Sequence, residues 1–226
     1  MCENGDIDEN DKFCKVRPVI NHLKEKFLEN SFNGDDKSID KSMLPYFGTN
    51  GSCQRINKKP VHVGCKILVL AVQYGYVIQF DPYQWAKSGK QIASKTRWEL
   101  GEMVVLCLMK VLPPEVNYHV FMNNYFNSFQ LLVHLGEYDI RATGVVNKKK
   151  LNKCPIMVDK VLQKTRGPIE QYKTTNQDVC GIGWNDNHAV RLIESTSKLL
   201  NQIISNVTIR VWVLLTEWIK ISPNIA

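Results

Sequence analysis

The sequence predicts an α/β domain: a mixed five-stranded sheet with helices, followed by a β-rich insertion. Three observations carry this expectation. Strand-like runs around Asp40, at 61–72 and at 76–83 follow one another with short turns between them. A strongly apolar helix-like run at 100–112 separates them from a fourth strand. That fourth strand ends in polar residues directly before an amphipathic helix, the arrangement at which α/β folds place their chemistry.

Met1 to Lys12 is acidic and polar and reads as a loose leader. From Arg17 a helix is expected, with Pro18 at an early position and Val19 or Ile20, Leu23 and Phe27 at helical spacing. Asn30 to Lys37 breaks it. The first strand holds Asp40 among Ile39, Met43 and Leu44 and stops at Pro45-Tyr46-Phe47-Gly48. Gly48 to Lys59 reads as a polar turn. Val61 to Val72 is too apolar for a strand with one wet face and is expected in the middle of a sheet. Tyr76 to Tyr83 completes an antiparallel meander, and Lys87 to Arg97 is a basic loop. Leu100 to Leu112, bounded by Pro113-Pro114, is expected as a buried helix. Tyr118 to Met122 is a short strand, Asn123 to Ser128 a polar loop, Phe129 to Leu135 a helix and Ile140 to Val146 a further strand, followed by Asn147 and the Lys148 to Lys150 run. Beyond them Lys153 to Arg166 is basic and Gly167-Pro168 breaks the chain. Val179 to Trp184 and His188 to Ile193 read as strands around an Asn185-Asp186-Asn187 turn. Three antiparallel strands, a helix, a fourth strand, a helix and a fifth strand is the order of an RNase H-like fold. The expected division is leader and helix 1–36, core 37–149, β-rich insertion 150–197 and a poorly ordered tail 198–226.

Composition narrows the function classes. With 44% hydrophobic and 23% charged residues, the 226-residue chain is ordinary for a globular protein. A net charge of +7 favours anionic partners such as nucleic acid. The seven cysteines form no C-x-x-C pair and have no paired histidine spacing for zinc. Their odd number, without a signal peptide, points to a reducing compartment inside the cell, the nucleus or cytoplasm. No apolar run has the length of a membrane span, and no Gly-rich phosphate loop is present. His62, His119, His134 and His188 lie on or beside apolar segments at no ligand spacing, which fits satisfied structural histidines.

Asp40 is the first candidate site residue. A carboxylate on a half-buried strand needs a metal or a cation as partner, because an isolated buried charge is too costly to keep; the alternative is an aspartate that caps a turn or faces water.

Several blocks in order resemble one family: S-I-D-K-S-M-L-P-Y-F-G at 38–48, K-K-P-V-H-V-G-C-K at 58–66, G-Y-V-I-Q-F-D-P-Y at 75–83, V-F-M-N-N-Y-F-N-S at 120–128, A-T-G-V-V-N at 142–147 and W-N-D-N-H-A-V at 184–190. They are similar to the catalytic part of piggyBac transposases and of the transposable element-derived proteins descended from them. The resemblance implies a DDE-type DNA transposase with an RNase H-like core, acids that bind two Mg²⁺, transposon DNA as partner and a homodimer in the family. Two metals about 4 Å apart activate the attacking oxygen and stabilise the leaving one. On this resemblance the first catalytic aspartate falls on Asp40. The second falls on Asn123, where an amide replaces the family's carboxylate and brings no charge. Lys41 stands where the family tends to carry Glu, and Trp85 interrupts a loop that usually bears Gly. Asp186 is a tempting third acid, but its motif resembles a hairpin turn of the insertion.

The family's last acids sit in a motif like Y-N-K-x-M-G-G-V-D-x-M-D-Q, and nothing like it follows Val190. Reading the codons of Val207 to Lys220 in a displaced frame, with permitted degenerate bases, restores most of it. The Trp212–Val213 junction then forces Gly and the Trp218–Ile219 junction forces Asp. A frameshift or a splice into the wrong frame between Ser197 and Asn206 is therefore expected. Three functions follow as alternatives: a transposase relic without catalysis, a DNA- or protein-binding module kept for its basic surface, and a metal nuclease using Asp40 with acids such as Asp81.

Overall fold

The computed structural model describes residues 11–31, 34–48, 53–55, 62–72, 74–84, 97–114, 116–151, 170–174, 179–186 and 188–195. Trp85, most of the Lys87–Arg97 loop, the Lys153–Arg166 stretch and the 198–226 tail lie outside them. The described chain forms two compact units. Of the described residues, one contains those up to Gly34 and 38–112; the other contains Asp35–Lys37 and those from 113 to 195.

The first unit opens with α1 (Arg17–Glu29), entered through a 3-10 turn at Cys14–Val16 and with Pro18 in its first turn. Proline suits that position because the first helical N–H groups have no intrahelical partner. The strands are β1 (Asp36–Pro45), β2 (Cys53–Arg55), β3 (Val63–Val72) and β4 (Val77–Pro82). β3 is central: β1 lies on one edge, and β2 and β4 pair antiparallel with successive parts of it, at Val63–Cys65 and Ile67–Ala71. Its seven buried positions include Leu68 to Val72 without interruption, as the unbroken apolar run predicts. β2 is a correction to the turn expected over 48–59: Cys53 to Arg55 is held in register by Val63 to Cys65 across the hairpin, a pairing that a three-residue polar segment does not advertise.

α1 packs on β4 through Phe27, whose ring meets Tyr76 edge-on at 6.3 Å and Phe80 at 5.8 Å. Tyr76 donates its hydroxyl to the Phe27 carbonyl, and Lys24 reaches Asp81 at 2.7 Å. α2 (Leu100–Met109) packs on β3 and buries Val104, Val105 and Leu108. It begins with a capping box in which the buried Glu102 carboxylate accepts the Glu99 N–H at 2.7 Å. The helix stops at Met109 rather than at the expected Leu112. Leu112 donates instead to the Met109 carbonyl in a turn, since the prolines that follow bar a further helical turn.

In the second unit the strands are β5 (His119–Met122), β6 (Arg141–Val145), β7 (Glu170–Lys173), β8 (Cys180–Asp186) and β9 (His188–Glu194), in the order β5-β6-β9-β8-β7. β5 and β6 are parallel and the other pairs antiparallel, so the sheet is mixed. Asp35 joins this unit by accepting the His119 N–H at 2.9 Å. α3 (Phe129–Gly136) connects β5 to β6, packs on β6 and buries Leu131, Leu132 and Leu135. The β8–β9 hairpin sets Asp186 opposite His188, which agrees with the turn read at Asn185 to Asn187. The strand β7 was not expected; its main chain pairs residue by residue with Gly183 to Cys180.

Candidate functional site

β1 alternates as a half-buried strand does: Lys37, Ile39 and Met43 are buried, while Asp40 is half-buried on the opposite face. Lys41 follows it, also half-buried. Asp40 is thus where its strand position predicts, at the boundary between core and solvent.

Asn123 belongs to the second unit and begins the loop that leaves the carboxyl end of β5. Its side-chain Oδ1 accepts the Tyr125 N–H at 3.0 Å, and its carbonyl accepts the N–H groups of Phe126 and Asn127, each at 3.2 Å. Asparagine favours such a turn because its short amide reproduces a backbone acceptor two residues ahead. Asn127 is fully buried, and its amide nitrogen donates to the Val145 carbonyl at the end of β6. Ser128 caps α3 by accepting the Leu131 N–H at 3.1 Å. Ser128→Ala is expected to lower stability by about 1 kcal/mol, the usual worth of an N-cap, and a urea titration checks it.

Because β5 and β6 are parallel, the Asn123 loop and the turn after β6 leave the same end of the sheet. That turn is a single 3-10 turn, Lys148–Lys150. Lys148 and Lys149 are exposed, whereas Lys150 turns inward and donates from Nζ to the Tyr125 carbonyl at 3.1 Å. The sequence showed three equivalent lysines; the fold assigns them two different tasks.

The entry of β1 and the start of β5 hold buried polar residues, of which the sequence singled out His119 but not Lys37. Lys37 is buried, with its ammonium 5.0 Å from the centre of the Tyr118 ring, and burial pulls its pKa down. His119 is buried with Nε2 2.7 Å from the Thr143 hydroxyl. Burial, and secondarily the Arg141 guanidinium, lower the imidazole pKa to about 4. This is the satisfied structural histidine expected from its position. Its only sequence signal was a histidine within an apolar strand.

Among the described residues, no group of three or more His, Cys, Asp or Glu side chains is placed to hold a metal ion. Asp81, the further acid considered for a nuclease, is paired with Lys24. At the two positions that the resemblance marks, the donors are one carboxylate, Asp40, and one amide, Asn123, whose oxygen already serves the Tyr125 N–H. Two divalent ions need several anionic oxygens to offset their charge, so this set does not fit a Mg²⁺ pair.

The chain matches a family model described as Transposase IS4 over residues 2–209. It is 33% identical over 198 residues to human PiggyBac transposable element-derived protein 3, covering 86% of this chain and 33% of that protein. It is 30% identical over 195 residues to human PiggyBac transposable element-derived protein 2, covering 85% and 32%. The chain spans about a third of the length of these curated relatives. Its fold is similar to that in the cryo-EM structure of a piggyBac transposase synaptic complex with hairpin DNA, with a TM-score of 0.66 at 23% identity over 84% of this chain and 39% of that one.

Proposed function

The chain belongs to the Transposase IS4 family as a piggyBac-type, transposable element-derived member with an RNase H-like fold, and from that premise we propose that it is a transposase relic without catalysis. The observation that carries this reading is Asn123. Where the resemblance calls for a second acid, the side chain is uncharged and its oxygen closes a local turn. In the family, bound Mg²⁺ supplies Lewis-acid stabilisation of the transferring phosphoryl group. Here the remaining family carboxylate, Asp40, has a lysine as its sequence neighbour, and removing negative charge from such a site weakens its grip on hard cations.

The decisive measurement is Mg²⁺-dependent nicking of supercoiled DNA. The unaltered chain is expected to give background cleavage. Asn123→Asp is expected to stay at background too, because two carboxylates in this chain are still too few to hold two divalent ions. Nicking that disappears with Asp40→Ala, or calorimetric binding of two Mg²⁺ ions per chain, would overturn the reading.

A second reading is favoured by the exposed Lys148 and Lys149: a DNA- or protein-binding module retained from a transposase. Exposed lysines bind a phosphate backbone by releasing counterions, so a gel shift with duplex DNA that weakens steeply with salt supports it. No shift at low salt removes the DNA form of it. Under either reading the protein works in the nucleus or cytoplasm, and the division into 1–36, 37–149, 150–197 and a displaced-frame tail is retained. Genomic sequence without the family motif in the displaced frame would refute the last of these.

A further inference from the structure

We propose that Lys150 is a positioning residue whose fixed ammonium organises the Asn123–Ser128 loop in the way a divalent cation would organise an acid-bearing one. The inference rests on the reading of this loop as a former acid site. Three acceptors at the carboxyl end of β5 are already engaged from within the protein: Asn123 Oδ1 by the Tyr125 N–H, the Asn123 carbonyl by the Phe126 and Asn127 N–H groups, and the Tyr125 carbonyl by Lys150 Nζ at 3.1 Å.

A carbonyl near the surface is ordinarily satisfied by water; here it takes a charge-assisted bond, roughly twice as strong as a neutral one. The bond joins the loop after β5 to the turn after β6. The Asn127 amide makes a second such link to Val145. Both links cross between parallel strands, so the loop is fixed from its neighbour. Lys148 and Lys149, two and one residues earlier, are exposed. The loop is accordingly ordered without a divalent ion and gains nothing from one.

Hydrogen exchange on the full-length chain tests this at the amides of Tyr125, Phe126 and Asn127. Lys150→Met is expected to speed their exchange roughly tenfold, the effect of losing one hydrogen bond to a charged group. Lys150→Arg is expected to restore most of the protection, and Lys148→Met, which removes the same charge from the exposed end of the turn, to leave it unchanged. Millimolar Mg²⁺ is expected to change nothing in the unaltered chain. Exchange in Lys150→Met equal to that of the unaltered chain, or slowing of the loop by Mg²⁺, overturns the proposal. The Mg²⁺ measurement and Lys150→Gln decide it should Lys150→Met not fold. Nicking by the unaltered chain would refute the relic reading while leaving this exchange pattern intact, so the two ideas fail separately.

Discussion

Gly144→Ala is expected to destabilise the second unit by about 3 kcal/mol, at the upper end of what overpacking costs. Gly144 lies on β6 opposite Met122 of β5, at the last paired position before the Asn123 loop. A Cβ there would run into the Met122 carbonyl oxygen and lie 2.9 Å from the Asn127 amide nitrogen. The first of these is main chain held in a parallel ladder, and it cannot swing away as a flexible side chain would. Relief requires β5 and β6 to part where they support the loop, so the Asn127–Val145 bond is expected to fail with the ladder. Urea unfolding measures the loss. Gly136→Ala is the matched control: a Cβ there meets nothing within 4 Å at the end of α3, and the change is expected to be neutral or to stabilise by about 0.5 kcal/mol through helix propensity. Equal effects at the two glycines would refute the account.

Acidification from pH 6.5 to 4 is expected to remove about 3 kcal/mol of stability through His119 alone. The folded imidazole pKa is about 4 against the ordinary 6.5. Above 6.5 both states are neutral and pH has no effect through this group. Between the two values the unfolded chain binds a proton that the native chain refuses, so stability falls as pH falls. Below about 4 both states are protonated and the loss is complete. Two and a half pH units at about 1.4 kcal/mol each give the stated size.

The groups around the ring explain the direction. Burial dominates, Arg141 adds repulsion, and the Thr143 hydroxyl at 2.7 Å needs no charge. Asp36 would favour the imidazolium, but its carboxylate lies 3.8 Å away and is 40% exposed, where water screens it. His119→Gln is expected to flatten this part of the pH profile. Urea midpoints at pH 7 and 4.5 give the comparison, and an unchanged slope in the variant would assign the acid sensitivity elsewhere.

Much of the architecture was legible because it is local. The apolar run over 61–72 read as a central strand, Pro18 marked the start of α1, and the polar stretch after Met122 marked the end of β5 before a helix. Asp40 and Asn123 were singled out by the blocks that resemble one family; Asp40 lies on β1, and Asn123 begins the loop that follows β5. The short strands β2 and β7 escaped because three or four residues carry no period; only their partners in β3 and β8 make them strands.

By itself, the order of residues determined the longer elements and the family. Tertiary structure decided which polar groups meet: Lys37 over Tyr118, His119 against Thr143, and Lys150 on the Tyr125 carbonyl. Periodicity is a property of neighbours in the chain, whereas the partner of a buried charge or hydroxyl comes from another strand, brought near by a ladder whose register no short window contains.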